Sequence, residues 1–302
     1  MDNQDRFRGC LLGLAVGDAV GTTLEFKAPG SFEPIHDMVG GGPFKLKPGE
    51  WTDDTSMALC LATSLLEKGG FDPKDQMDRY RRWRREGYLS SNGRCFDIGN
   101  TVGEALNRYQ QTGDPMAGST DPHSAGNGSI MRLAPVPMFY YPDLAAAIRY
   151  SAESSRTTHG APECLDACRL LAGIICRALS GASKEVVLFG EAGSFHGEPK
   201  ITAIAQGEYK NKSGDKIRGT GYVVESLQAA LWCFDQTDTF ESAILKAANL
   251  GDDADTTAAI CGQVAGAFYG ESGISKKWLG KLAMREDIST LADRLFATNR
   301  AT

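Results

Sequence analysis

Histidine is scarce in this chain, four in 302 residues, and none stands beside an acidic cluster. Zinc sites draw on His and Cys, so that scarcity disfavours zinc. The eight cysteines show no paired spacing of the metal-ribbon kind. Cys164 and Cys168, four apart with His159 nearby, admit a zinc reading; buried reduced thiols are the plainer one. No apolar run reaches the length of a bilayer span, and the nearest approach, residues 10–16, is closed by Asp18. Asp2, Asp5, Arg6 and Arg8 precede that run, which is not how a signal peptide opens. The expectation is a soluble, cytoplasmic chain with free thiols and no membrane contact. Excess positive charge is missing too. A net charge of -6 argues against general affinity for nucleic acid and suits a basic partner or bound cations. Gly40-Gly41-Gly42 has no Lys-Ser/Thr after it, which excludes a P-loop. No serine has the Gly-x-Ser-x-Gly context of a nucleophile elbow. His36, His123 and His196 read as loop histidines.

What is present is helical. Apolar spacing and end signals predict helices over residues 6–20, 55–68, 73–85, 100–112, 142–155, 162–180, 222–234, 239–249, 255–269 and 276–297. Strand signals are few and short, so the fold class expected is all-α, one orthogonal helical domain spanning 1–302. Stretches 29–51, 113–128 and 206–221 resist a helical reading. Each is a candidate binding loop or lid rather than a linker between domains. No large apolar surface stripe is evident, which favours a monomer. The basic run from Arg79 to Arg85 reads as a solvated helix face with Tyr80 and Trp83 turned inward, in preference to a nucleic-acid patch.

Two helices carry rows of small residues. Gly9, Gly13, Gly17 and Gly21 recur every fourth position, as do Ala258, Gly262, Gly266 and Gly270. Residues four apart share a helix face. Glycine in a helix interior costs about 1 kcal/mol, so close backbone packing is the expected compensation, with both helices central and set against each other.

Two acidic groups stand at predicted helix starts. Thr52-Asp53-Asp54-Thr55 alone reads as a helix cap. Asp252-Asp253-Ala254-Asp255-Thr256 opens the second small-residue helix, whose apolar character all round implies burial. Three carboxylates at the mouth of a buried helix cannot all stay charged without cations. Hard divalent ions take oxygen ligands from Asp and Thr. The two groups, about 200 residues apart, therefore suggest halves of one binuclear site.

The motifs have an order. Gly17-Asp18-Ala19-Val20-Gly21 with Glu25-Phe26, Thr52-Asp53-Asp54-Thr55, Phe96-Asp97-Ile98-Gly99-Asn100-Thr101, Gly126-Asn127-Gly128 with Met131-Arg132, Thr158-His159, and Gly251 through Thr256 follow one another along the chain. In this the chain resembles the ADP-ribosylglycohydrolases, above all their dinitrogenase reductase-activating branch, from about residue 6 to about residue 270. The resemblance implies two Mg²⁺ or Mn²⁺ ions held by Thr52, Asp53, Asp54, Asp253, Asp255 and Thr256. It places Glu25 at the metal site, Gly126, Asn127 and Gly128 against the phosphates and ribose of ADP-ribose, His159 in the substrate cleft, and Asp97 as an acid acting on the ribose. Asn100 falls with the same cleft, and Tyr222 is the candidate to stack on adenine.

The implied activity is hydrolysis of the bond between ADP-ribose and a modified protein, most simply N-linked ADP-ribosyl-arginine. Carboxylates stabilise the oxocarbenium-like state of such a reaction. A metal pair binds ribose hydroxyls and activates water, with Asp53 or Asp54 assisting and Asp97 or Glu25 shuttling the proton. Two alternatives stand beside it: a hydrolase of O-linked ADP-ribose, and a non-catalytic ADP-ribose-binding protein. The second predicts lost metal ligands, and all six are present. One departure is open. Many family members have Gly where Asp252 stands, so Asp252 is a cap, a supporting group or a modifier of metal affinity.

Overall fold

The computed structural model describes residues 2–298. Its α-helices, in chain order, are α1 (Asn3–Gly21), α2 (Asp53–Lys68), α3 (Pro73–Glu86), α4 (Asn100–Thr112), α5 (Pro135–Tyr140), α6 (Leu144–Arg156) and α7 (Pro162–Leu179). They continue as α8 (Lys184–Phe189), α9 (Pro199–Ala205), α10 (Val223–Asp235), α11 (Phe240–Ala248), α12 (Ala254–Tyr269), α13 (Lys276–Lys281) and α14 (Arg285–Thr298). Extended pairing among the described residues is confined to isolated bridges such as Gly126 with Tyr222 and Ser119 with His159. The all-α expectation holds.

Three short helices, α5, α8 and α9, escape the sequence reading. None exceeds seven residues, too short for a 3.6-residue period to register, and α5 also carries Pro135 and Pro137. The single helix expected over 276–297 is two. The chain breaks between Leu282 and Met284, where Met284 takes φ 53°. Buried Trp51 donates its indole N–H to Ala283 O at 3.1 Å, and Ala283 N–H donates to Gly49 O at 2.9 Å. Partners more than 230 residues away in sequence thus take both backbone groups of Ala283 at the break.

Helices α1 and α12 lie antiparallel at the centre, small-residue row on small-residue row. A Cβ added to Gly9, Gly13, Gly17 or Gly21 would land on the carbonyl oxygens of Gly266, Gly262, Ala258 and Ala254 in turn. This is the face-to-face packing expected from the spacing. Arg6 closes the far end, its Nη1 donating to Phe268 O at 2.6 Å and Ala267 O at 3.2 Å, as suits a cation at a helix C-terminus. The near end brings the tail of α1, with Asp18 and Glu25, against the head of α12, with Asp255. Buried Gln263 reaches from α12 to Ile130 O, Met131 O and Ala134 N–H, which anchors the segment following Gly126-Asn127-Gly128. On α3, Tyr80 and Trp83 are buried as expected.

Candidate active site

The site forms where three buried carboxylate groups meet at the end of the α1–α12 pair. Asp18, fully buried in α1, accepts from Thr52 N–H and Oγ1–H at 2.9 Å each. Its other oxygen accepts from Thr55 N–H at 3.1 Å and Oγ1–H at 2.6 Å. Asp18 therefore caps α2 from another helix, and the capping role open to Asp53 and Asp54 is already filled. Burial pushes the Asp18 carboxyl up to about 6 against those four hydrogen bonds. The sequence reading gave Asp18 no role. A lone carboxylate inside an apolar, glycine-rowed helix was the available signal.

Freed from capping, Asp53 lines the cleft, and Asp54 lies buried at its edge between Thr52 and Thr256. Thr52 Oγ1 lies 3.4 Å from Asp54 Oδ2 and 3.3 Å from Asp255 Oδ2, and Thr256 Oγ1 lies 3.4 Å from the same Asp54 oxygen. One hydroxyl carries one proton, and that of Thr52 serves Asp18 at the shorter distance. The carboxylates are left with too few donors. Asp54 Oδ1, Asp255 Oδ1 and Glu25 Oε2 are buried without any hydrogen-bond partner. Glu25, Asp97 and Asp255 each present an oxygen within 4.8 Å of the other two. Buried acceptors crowded in this way require either protons or cations.

Burial, and then mutual repulsion, drive the acids upward. Glu25 rises to about 10 and Asp97 to about 7, while Asp53, Asp54 and Asp255 rise well above the ordinary carboxylate range. The sign of the linkage follows. With folded values above the unfolded value of about 4, the folded chain holds more protons, so its stability falls as pH rises from about 4 toward 7 and 10. In chelator the chain is expected to melt higher at about pH 5.5 than at about pH 8, with Mg²⁺ or Mn²⁺ raising the melting temperature more at the higher pH. Thermal melts at the two pH values check this, and a chelated chain that gains stability with pH contradicts it.

The other predicted substrate residues, Tyr222 apart, ring the same cleft, of about 460 Å³, to which Asn100, Gly126, Asn127, Gly128 and His159 all contribute. Asn127 spends its amide on Asp253, donating to Oδ2 at 2.7 Å, and so aims that carboxylate. His159 is buried and its imidazole is pushed down to about 3 by burial and by Arg132. Arg132, itself buried, donates to Gly128 O at 2.5 Å and to Thr158 Oγ1 at 2.7 Å. Thr158 Oγ1 in turn sits 2.8 Å from His159 Nδ1. The Thr158 hydroxyl thus links the Arg132 guanidinium to the imidazole of His159 and fixes the plane of that neutral ring. Arg132 and Thr158 were motif residues without assigned roles; only the fold brings Arg132 to the Thr158-His159 pair.

Tyr222 lies in a second cavity of about 600 Å³, which shares Thr101, Gly126 and Gly221 with the first. Its hydroxyl donates to Glu163 Oε2 at 2.5 Å and accepts from Lys200 Nζ at 2.8 Å. Asp252 faces elsewhere. Its carboxylate pairs with Arg218 at 2.6 Å and its backbone has φ 54°. Left-handed backbone suits glycine, and Asp tolerates it. Asp252 is neither a cap nor a member of the carboxylate group. Cys164 and Cys168 also stand apart, their thiols directed to Gly126 O and Ser129 Oγ, and the zinc reading for them falls away.

The whole chain, residues 1–302, matches the family model of ADP-ribosylglycohydrolases. The chain belongs to that family. It is 49% identical over 298 residues to the ADP-ribosylarginine hydrolase Tri1 of Serratia proteamaculans, covering 98% of this chain and 80% of that protein. To the Tri1 hydrolase of Pseudomonas putida it is 51% identical, covering 97% and 78%. The ADP-ribosyl-[dinitrogen reductase] glycohydrolase of Rhodospirillum rubrum is 35% identical, with 97% and 96% covered. A solved structure, an ADP-ribosylglycohydrolase-related protein complex, superposes with a TM-score of 0.87 at 44% identity, over 98% of this chain and 99% of that one. As a family member the chain is a hydrolase of all-helical fold, and no described helix is long and apolar enough to cross a membrane.

Proposed function

We propose that this ADP-ribosylglycohydrolase releases ADP-ribose from modified arginine side chains of a protein, acting in the cytoplasm as a monomer with two bound Mg²⁺ or Mn²⁺ ions. The observation that carries the metal reading is the set of buried, unpartnered carboxylate oxygens on Glu25, Asp54 and Asp255. They fit hard divalent cations, and Thr52, Asp53, Asp54, Asp253, Asp255 and Thr256 would hold the pair. Bound there, the ions supply charge neutralisation, grip on the ribose hydroxyls and a lowered pKa for water. The arginine linkage is supported by near-50% identity to two ADP-ribosylarginine hydrolases over almost the whole chain.

The protein's own groups do the rest. Asp97 lines the cleft with an oxygen within 4.8 Å of Glu25 and Asp255, where a carboxyl can give or take the proton that a reaction at a ribosyl bond needs. Glu25, close by, exchanges that proton with it. Asp18 keeps Thr52 and Thr55 in place, and Asn127 keeps Asp253 turned inward. Gly126, Gly128 and Asn100 shape the wall for the ribose and phosphates. His159, neutral, offers the cleft a polar ring that carries no charge penalty on burial. The cavity holding Tyr222 takes the adenine end, and together the two cavities have the volume usual for a ligand of this size.

The test is release of ADP-ribose from arginine-linked and serine-linked protein in Mg²⁺, in Mn²⁺ and in chelator. Release from arginine only, abolished by chelator, is expected. Release from serine instead points to the O-linked hydrolase, and tight binding of ADP-ribose without release in any metal points to the binding protein.

A further inference from the structure

Phe26 does nothing for the core. It is 68% exposed, the most exposed large apolar side chain among the described residues, and its backbone sits at φ 61°. Left-handed backbone is unfavourable for a bulky residue and persists only where the surroundings impose it, most often at functional sites. Here they do. Phe26 N–H donates to Asp252 O and Asp252 N–H donates to Lys27 O, both at 2.7 Å. Arg218 holds Asp252 in turn. Two residues with positive φ lock each other, and the result is an aromatic ring held out beside Glu25.

That ring stands between two cavities. One is the carboxylate cleft; the other is a groove of about 320 Å³ lined by Thr23, Glu25, Phe26, Lys27, Gly42 and Pro43. The groove shares only Glu25 and Phe26 with the cleft, and no lining residue with the Tyr222 cavity. Phe44, after Pro43, packs on Phe96, before Asp97, with ring centroids 5.2 Å apart. The groove is thereby tied to the loop of the proposed proton carrier. A substrate with ADP-ribose on one side of the broken bond and a protein side chain on the other has two arms. The glycine loop and the Tyr222 cavity accommodate one, and the groove behind Phe26 is left for the other.

We infer that Phe26 is the acceptor-side recognition residue, its ring face receiving the guanidinium and aliphatic stem of the modified arginine. The inference rests on the arginine-linked reading above. A planar cation over an aromatic face beside a carboxylate is well-matched chemistry for a guanidinium, and a serine linkage offers nothing to that ring.

The experiment compares wild type, Phe26→Ala and Phe26→Trp, loaded with Mn²⁺, on arginine-ADP-ribosylated protein, with ADP-ribose binding measured by calorimetry. Phe26→Ala is expected to lower kcat/KM about 10-fold, mainly through KM, with ADP-ribose affinity within about 2-fold, and Phe26→Trp to restore the rate. Unchanged kcat/KM in Phe26→Ala, or an equal loss of ADP-ribose affinity, overturns the assignment. A wild-type chain that releases nothing from arginine-linked protein fails at the earlier step, and takes the assignment down with the reading beneath it.

Discussion

Asp255→Ala is expected to fold normally and to lose hydrolase activity by at least about 10³-fold, the scale of removing a group that acts on the transition state. Asp255 reaches the site from the head of α12 and is the carboxylate that joins the others: it faces Thr52 Oγ1 at 3.3 Å and converges with Glu25 and Asp97. Its Oδ1 is buried and unpartnered. The variant therefore loses the cation ligand by which the second sequence cluster faces the first. It also loses a source of repulsion, since Glu25, Asp54, Asp253 and Asp97 all push against it. In chelator Asp255→Ala should melt at or above the wild-type temperature, while added Mn²⁺ stabilises it far less. Melting curves with and without metal, read beside the rates, decide the matter. Full activity would sink the proposed metal-dependent mechanism, and a grossly destabilised variant would mean that Asp255 is structural.

Gly17→Val should destabilise the chain by about 4 kcal/mol or more, a drop in Tm on the order of 10 °C for a chain of this size. The Cβ would meet the carbonyl of Ala258, and there is no flexible side chain in the way that could move aside. The two helices must separate instead. Separation shifts Asp255 relative to Asp18 and Glu25, so the folded remainder should lose activity beyond what unfolding explains. Gly103→Ala is the control. It sits inside α4 with nothing near its Cβ, and should gain about 0.5–1 kcal/mol. Urea unfolding of both variants checks the contrast, and a Gly17→Val chain as stable as wild type would show that α1 and α12 tolerate separation.

Much of this was legible before any fold was known, because it depends on residues close together in sequence. Spacing of four places Gly9 through Gly21 on one face whatever surrounds them. Acids at 53–54 and 252–255 fall at helix starts that the local apolar period marks. The order of the motifs is a property of the string alone.

Other features had to wait for the tertiary structure, because a hydrogen bond is allocated only when its partners meet. Asp53 could have capped α2 until Asp18 arrived from α1 and took the donors. Asp252 looked like one more acid of the cluster until its left-handed backbone and Arg218 drew it away. Residues 276–297 had the pattern of one helix, and Gly49 and Trp51 took both backbone groups of Ala283 at the break. Arg132 became connected to His159 only through Thr158. Phe26, an ordinary letter beside Glu25, became an exposed ring because Asp252 clamps its backbone. Helices, glycine rows and acidic clusters were determined by the sequence itself, through periodicities the backbone imposes on neighbours. Which acid caps, which faces the cleft and which turns away was decided by folding, since each donor can satisfy one acceptor and geometry chooses which.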